Sequence, residues 1–443
     1  MAIHPIEFRY GRPEMKNVWS DESRLKKVLE VEVALAYAHS KAGNISKSDF
    51  LKIQAGAKKV RLDRVNKIEA EINHDMMAVV RALSEQCGSA GKYVHLGATS
   101  NDIFDTATSL QFKEAARILR SDLVSLKTTL ATLAGRTKNL VCIGRTHGQH
   151  AVPTTYGLRF AIWALEVHRH LQRLDELTPR LLVGQMNGAV GTGAAFGSKA
   201  ARIQDTAVRR LGLKPVTASN QVIQRDRHAE FLLFMSLAAE TLNKIGVNIR
   251  TWQRTEIGEV FEQFDTKKQV GSSTMPHKRN PIHFERICGL SRIITANAFA
   301  QLRNIALWDE RDLTNSSPER ITFLESTILL DYILGLSICG LSSLGFDRKR
   351  IEQNLNMTNG LVMAERVMIA LAENGMPRQE AHELVRKLSM KCYSSGEPLA
   401  SLLKSDRKIS SILSPKKIDL LMDPHTYIGN AVQTVEKALK EVR

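Results

Sequence analysis

The tightest constraint in the sequence is a series of long segments whose apolar residues recur at helical spacing, at about 105–136, 155–177, 199–211, 227–262, 283–306 and 321–342. Each is apolar along a stripe and not all round, so the segments must bury their stripes against one another, which predicts a helical bundle. Nearer the start, Ser20 followed by Asp21 and Glu22 reads as an N-cap, Leu25, Val28, Leu29, Leu35 and Ala36 carry the period, and Gly43 stops it. A second helix is expected from about Asp63, with Ile68, Ile72, Met76, Val79 and Leu83 as its stripe. No run of alternating residues indicates a sheet, and Leu140 to Ile143 is at most one short extended piece. After about residue 352 the helices shorten and prolines recur at Pro377, Pro398, Pro415 and Pro424. The expected fold is all-α, with an N-terminal helical domain (1–104), a central long-helix bundle (105–352) and a small C-terminal helical domain (353–443).

The 443 residues include 62 Lys+Arg against 46 Asp+Glu, a formal charge of +16. With 43% hydrophobic and 24% charged residues, the chain is neither disordered nor collagen-like. The excess positive charge admits a nucleic-acid surface, a membrane surface or small anionic substrates. The basic residues are spread along the chain and no nucleic-acid motif is recognisable, which leaves a basic helical nucleic-acid-binding protein as the reading from a different class. The most apolar stretch, Ile321 to Phe346, carries Glu325 and Asp331, and a charge near a bilayer centre costs ~3 kcal/mol, so a buried core helix is expected and no membrane span. The opening residues lack the apolar run of a secretory signal. Five scattered cysteines without a C-x-x-C argue against a disulfide framework or zinc site and for a reducing cytoplasm. Cys87, Cys288 and Cys339 fall in apolar helical stretches and read as packing residues.

Four interruptions rich in Gly, Pro, Ser and Thr break the helical pattern, at 95–102, 144–155, 183–197 and 270–281. In the last, two serines follow Gly271, and Lys278, Arg279 and Asn280 stand between Pro276 and Pro281. Those three side chains can donate to a carboxylate or to an oxyanion forming on one. From spacing alone the segment is equally a basic surface loop, and the P-loop pattern is absent. His147 and His150, three apart in the second interruption, could form half a zinc site, but no third ligand lies within reach and no metal is expected. The 184–197 stretch misses dinucleotide-binding spacing and reads as a chain reversal between helices, and His168-Arg169-His170 as helix surface.

The 271–281 segment, GSSTMPHKRNP, resembles the fumarase/aspartase superfamily signature G-S-S-x-M-P-x-K-x-N-P. That resemblance implies the three-domain, long-bundle fold of the superfamily and a β-elimination that releases fumarate from a succinyl group. It assigns Ser273 as the base that takes the Cβ proton, Lys278 and Asn280 as stabilisers of the resulting aci-carboxylate, and Met275 to the same substrate-binding loop. Serine is a poor base at its free pKa, so its neighbours must stabilise the alkoxide.

Further segments resemble the adenylosuccinate lyase branch, and the likeness runs over most of the chain. Arg9-Tyr10-Gly11-Arg12-Pro13-Glu14-Met15 is similar to its opening R-Y-x-R-P-E-M, which would place Arg9 and Tyr10 on the nucleotide phosphate. His74-Asp75 would be its catalytic and substrate-binding H-D pair. The preceding residue, often Arg in that family, is Asn73. Within the expected second helix, His74 lies about 200° from Ile72 and points away from the stripe, with Asp75 flanking it. His95-Leu96-Gly97-Ala98-Thr99-Ser100-Asn101-Asp102 resembles H-x-G-x-T-S-x-D, which implies that Thr99 and Ser100 hold succinyl carboxylates with His95 close by. The same Thr-Ser-Asn-Asp is a good N-cap for the helix that follows.

Arg145 to Thr155 matches R-T-H-G-x-x-A-x-P-T-T, which makes His147 the general acid for the departing 6-amino nitrogen, a role that histidine chemistry suits near neutral pH. Gln221 aligns with a substrate glutamine, and 308–320 resembles W-x-E-R-D-x-x-x-S-S-x-E-R, which would set Arg311, Ser316 and Arg320 on the nucleotide. The resemblance implies adenylosuccinate and SAICAR as anionic substrates, AMP and AICAR as products, and no cofactor. It also implies a cytoplasmic homotetramer whose sites draw on three subunits, with neither nucleic acid nor membrane as partner. Within the superfamily the alternative is a 3-carboxy-cis,cis-muconate cycloisomerase, which shares a similar loop but fits the R-Y-x-R-P-E-M and W-x-E-R-D segments less well.

Overall fold

The computed structural model describes residues 3–263, 274–275 and 277–443. Ser273, together with Gly271, Ser272 and Pro276, lies outside the described residues. Five helices dominate: Ser100–Thr137, Tyr156–Leu181, Asp226–Trp252, Ile282–Arg303 and Ser316–Ser342. They answer to the long periodic segments of the sequence, except that the third stops at Trp252 and not near 262. There the Glu259 N–H donates to the Trp252 carbonyl and Gly258 takes a φ of +61°. Val260–Phe261 then pairs antiparallel with Gly345–Phe346.

The chain packs as two compact units, one made of residues 1–124, 169–242 and 289–335, the other of 125–168, 243–288 and 336–443. In the first, Phe112 is fully buried and its ring meets Phe323 at 4.9 Å, His228 and Phe231 at 5.4 Å and Trp19 at 5.8 Å. One aromatic thus joins the Ser100–Thr137, Asp226–Trp252 and Ser316–Ser342 helices, and burying it contributes about 1.5–3 kcal/mol before any edge-to-face term. A separate apolar cluster, including Leu35, Ile53, Ile68, Met76, Leu83 and Ile203, packs the shorter N-terminal helices and Ala200–Arg210. In the second unit Trp163 stacks on Trp252 at 5.5 Å beside Tyr156, Phe160 and Phe346. The Arg159 guanidinium lies 4.8 Å from the Tyr156 and Trp252 ring centres. The terminal helices hold their own core around Leu371, Leu399, Leu403, Ile409 and Ile418.

Among the described residues, Ser316–Ser342 is the one helix long and apolar enough to cross a membrane, yet most of its apolar window is buried within the protein. It also carries Asp331, fully buried, which accepts from Arg12 Nε at 3.0 Å and from Nη2; the same Nη2 reaches Asp122. A buried carboxylate survives only when partnered in this way.

Four expectations need correction. The helix expected from Asp63 through Leu83 is two helices, Leu62–Ile72 and Asp75–Glu85, broken at Asn73, which adopts the left-handed conformation (φ 54°, ψ 38°). Asn tolerates that geometry better than most residues, and His74 becomes the N-cap of the second helix, not a mid-helix residue. Leu140 to Ile143, read as at most one short extended piece, and the interruption at 144–155 together form a β-hairpin: Val141–Thr146 pairs antiparallel with Gln149–Thr155. His170, expected at a helix surface, is buried with Nε2 2.8 Å from Thr241 Oγ1. Of the three cysteines assigned to packing, Cys87 and Cys288 are buried, whereas Cys339 is exposed.

Candidate active site

The first unit contains a cleft of about 620 Å³ onto which three helix starts open: Asp75 of Asp75–Glu85, Ser100 of Ser100–Thr137 and Ser316 of Ser316–Ser342. The positive dipole end makes each helix start favourable to an anion, although many of their first-turn N–H groups are already bonded. His74 Nδ1 caps its helix by accepting from Met77 N at 3.3 Å, which leaves much of the ring exposed. Six residues singled out in the sequence line this one cleft: His74, Asp75, Ser100, Arg311, Ser316 and Arg320.

Four arginines line it as well, with contrasting surroundings. Arg225 is buried and doubly paired, with Asp105 at 2.7 and 3.0 Å and with Glu319 at 2.9 and 3.2 Å. Burial alone would push the Glu319 carboxyl up, but His228 and Arg225 beside it bring it down to about 2. Arg311 is different. Its Nη1 donates to Gln221 Oε1 at 2.9 Å, its Nε is buried without a partner, and desolvation together with Arg225 lowers its pKa. Gln221 is held in turn by donating through Nε2 to the Ala189 carbonyl at 2.9 Å, so it aims Arg311. Arg320 pairs with Asp75 at 2.7 Å, and Arg24 stands 3.9 Å from the same carboxylate.

The 95–102 segment is fixed beside this cleft by Asp102, fully buried, which accepts from Thr99 N at 3.0 Å and from Asn187 N and Gly188 N at 2.9 Å. His95 does not line the cleft. Its Nδ1 lies 2.6 Å from Glu32 Oε1; burial opposes its charge, but Glu32 prevails and raises its pKa. Arg9 and Tyr10 also lie off the cleft, with the Tyr10 ring 5.8 Å from Tyr332.

The remaining expected residues belong to the second unit. His147 and Gly148 form the two-residue turn of the hairpin, with φ of 53° and 76° and with Thr146 paired to Gln149. Positive φ at both positions suits the twist of a tight hairpin, and glycine supplies one of them. His147 is therefore exposed at a hairpin tip. The base of the hairpin is fastened by Glu259, fully buried, whose carboxylate accepts from Arg145 Nη2 and Tyr156 Oη at 2.5 Å and from Asn354 Nδ2 at 2.9 Å. Burial works against that charge, but these donors hold its carboxyl below the usual range. Lys278 and Asn280 lie on a segment tied down by Gln253, whose Nε2 donates to the Arg279 carbonyl at 3.2 Å. Met275, half exposed, accepts through its carbonyl from Lys278 N at 3.1 Å. Ser273 falls outside the described residues.

Sequence reasoning missed Arg24, Arg225 with its two carboxylates, and Glu259. Arg225 and Glu319 stood inside recognised segments, but their partners are separated by 94 to 120 positions, which no local pattern reveals.

A family model described as Lyase matches residues 7–295, and one described as Adenylosuccinate lyase C-terminus matches residues 360–438. The chain is 52% identical to the adenylosuccinate lyase of Methanocaldococcus jannaschii, over 100% of this chain and 96% of that one. It is 52% identical to that of Pyrococcus horikoshii (100% and 98% covered) and 38% identical to that of Aquifex aeolicus (97% and 98%). Among solved structures it is similar to a fumarate lyase from Mesorhizobium sp. BNC1, with TM-score 0.90, 30% identity and 97% and 98% of the two chains covered. A 3-carboxy-cis,cis-muconate lactonizing enzyme from Pseudomonas putida gives TM-score 0.90 at 33% identity, with 99% and 98% covered. The superfamily's mainly helical fold is shared by these structures, whereas the relatives named at half identity from end to end are adenylosuccinate lyases, and the chain is a lyase belonging to the adenylosuccinate lyase family.

Proposed function

We propose that the protein splits adenylosuccinate into AMP and fumarate, and SAICAR into AICAR and fumarate. The observation that carries this reading is the 52% identity over the whole chain to archaeal adenylosuccinate lyases. The muconate lactonizing enzyme shares the fold at only 33% identity, so the cycloisomerase reading is the weaker one.

In this reading Ser273 takes the Cβ proton of the succinyl group, and Lys278 and Asn280 stabilise the aci-carboxylate left behind. The electron pair then forms the C=C bond of fumarate as the C–N bond breaks, and His147 protonates the departing nitrogen. His74 assists at the reacting end. Asp75, His95, Thr99, Ser100, Gln221, Met275, Arg311, Ser316 and Arg320 bind substrate, with Arg9 and Tyr10 on its phosphate. In this reading the site is drawn from several copies, which is supported by the absence of Arg9 and Tyr10, residues of the same unit, from the lining of the first-unit cleft. The protein is accordingly a homotetramer in this proposal. Supporting that, the long helices expose Ile162, Leu233, Leu237, Val247, Ile293 and Phe299, side chains that gain by burial against further copies. The division into 1–104, 105–352 and 353–443 and a cytoplasmic location belong to the same reading.

Purified protein incubated with adenylosuccinate should release fumarate, and His147→Ala and Ser273→Ala should each lose most of kcat while still binding substrate. No turnover under conditions that support a related lyase sinks the reading. Steeply salt-dependent retention on duplex DNA would favour a nucleic-acid-binding protein instead.

A further inference from the structure

Three of the four cleft arginines have more positive charge than their partners cancel. Arg225 is neutralised by two carboxylates and has no capacity left for a ligand. Arg311 has a glutamine and no carboxylate in hydrogen-bonding reach among the described residues. Arg320 and Arg24 share a single carboxylate, that of Asp75, at 2.7 and 3.9 Å. Arg24 comes from the first turn of Asp21–Lys41, with its guanidinium 5.3 Å from the Phe104 ring centre, a contact that orients it without cancelling its charge. Asn73, on the same rim, contributes no charge.

We propose that Arg24 also binds the substrate's phosphoryl group, beside Arg311 and Arg320 at the start of Ser316–Ser342, on the same group to which the proposed function brings Arg9 and Tyr10 from another copy. This rests on the nucleotide reading given above. A phosphate dianion between these guanidinium groups would accept charge-assisted, geometrically forked hydrogen bonds. It would also lie at the positive dipole end of the helix that begins at Ser316, although Ser316 N and Glu319 N already donate to carbonyls and Pro318 has no N–H. The electrostatics agree with the geometry: desolvation first, and then the neighbouring Arg320, lower the Arg24 pKa, and Asp75, Asp21 and Glu69 offset this only in part. An anion placed there removes the repulsion. The chemistry selects a phosphomonoester over a neutral nucleoside.

Arg24 is half-exposed in a first helical turn, so Arg24→Gln should fold normally, which a melting curve checks. Binding of AMP, adenosine, fumarate and inorganic phosphate would be compared by titration calorimetry in the wild type, Arg24→Gln and Arg24→Lys. Losing one charge-assisted contact should weaken AMP and phosphate by about tenfold to a hundredfold. Adenosine and fumarate should be unaffected, and Arg24→Lys should recover part of the loss. KM for adenylosuccinate should rise far more than kcat falls. Equal weakening of AMP and adenosine, loss of fumarate binding, or no change in AMP affinity each overturns the assignment. A wild type that binds neither AMP nor phosphate overturns it as well. A wild type that binds AMP but releases no fumarate from adenylosuccinate defeats the enzymatic reading alone, and the AMP comparison still decides Arg24.

Discussion

Glu259 offers the sharpest test of how the hairpin is held. Its carboxylate is fully buried and accepts from Arg145 on Val141–Thr146, from Tyr156 at the start of Tyr156–Leu181 and from Asn354 on Arg348–Asn356. Glu259→Ala removes three hydrogen bonds: it leaves Arg145 Nη2, a cation, and Tyr156 Oη without an acceptor, and Asn354 Nδ2 with the Ile257 carbonyl alone. Hydrogen bonds to charged groups contribute roughly 1.5–3 kcal/mol each, so three would sum to about 4.5–9 kcal/mol gross. Removing the carboxylate also relieves its own desolvation, and breaking a buried pair of this kind costs about 3–5 kcal/mol net. Glu259→Gln keeps the shape and one acceptor oxygen, so it should cost less, about 1–3 kcal/mol. Because Glu259 ties down the strand that leads into His147, kcat should fall in the same order. The assay is guanidinium unfolding followed by circular dichroism, together with hydrogen exchange of the amides in 141–155. In a double-mutant cycle with Arg145→Met, the two losses should be non-additive by about 0.5–3 kcal/mol. Glu259→Ala costing under about 1 kcal/mol, or leaving hairpin exchange at the wild-type rate, would refute the reasoning.

Two further outcomes follow from buried or strained positions. Burial, opposed by Arg12 and aided by Asp331, carries the Asp122 carboxyl up to about 7; the folded protein therefore holds a proton that the unfolded chain sheds near pH 4, and this contribution to stability is lost as pH rises through that window. Asp122→Asn should gain stability relative to wild type at pH 8 compared with pH 5, and a pH-independent difference between their unfolding midpoints would contradict this. Gly191 has a φ of +85°, and a Cβ there would stand 2.0 Å from the Ser219 carbonyl oxygen, so Gly191→Ala should cost at least about 1–2 kcal/mol. By displacing 219–221 it should also disturb the Gln221–Arg311 contact and raise KM, and a variant with normal KM and melting temperature would count against that coupling.

The long helices were legible because a stripe buried along one face must repeat every three to four residues, and Ser20 and Gly43 mark their helix as capping chemistry requires. The break at Asn73 was hidden for the same reason. Ile68 and Met76 fall on one continuous stripe because the two helices pack against a common cluster, so periodicity runs straight through the interruption. Only Asn73 itself, tolerant of positive φ, gave a local sign. The hairpin escaped detection because its register shifts between Ile143 and Arg145, which breaks the alternation that a strand would show. His147-Gly148 was the available signal, as a pair suited to a turn with positive φ at both positions. The cleft residues were accessible through resemblance and not through physics alone. Nothing in the local pattern distinguishes Arg311, which lines the cleft with Gln221 as its hydrogen-bond partner, from Arg225, which is locked between Asp105 and Glu319.

That distinction changes what the net charge of +16 means. The cleft is lined by Arg24, Arg225, Arg311 and Arg320, but also by Asp21, Glu69, Asp75, Asp105 and Glu319, so its formal sum is 4 − 5 = −1 with His74 neutral. A substrate bearing a phosphate and two carboxylates cannot be attracted there by surplus local charge. What can hold it is the arrangement of partners. The carboxylates of Asp105 and Glu319 are spent on Arg225, and withdrawing them would strand buried charges at a cost of several kcal/mol. Their negative charge is therefore fixed in pairs with Arg225, whereas Arg24 and Arg311 have no carboxylate within hydrogen-bonding distance among the described residues. If this cleft holds the polyanion assigned to it in the proposed function, selectivity would come from which hydrogen-bond donors the fold leaves without a carboxylate, and the excess positive charge elsewhere on the chain would act on the rate of encounter.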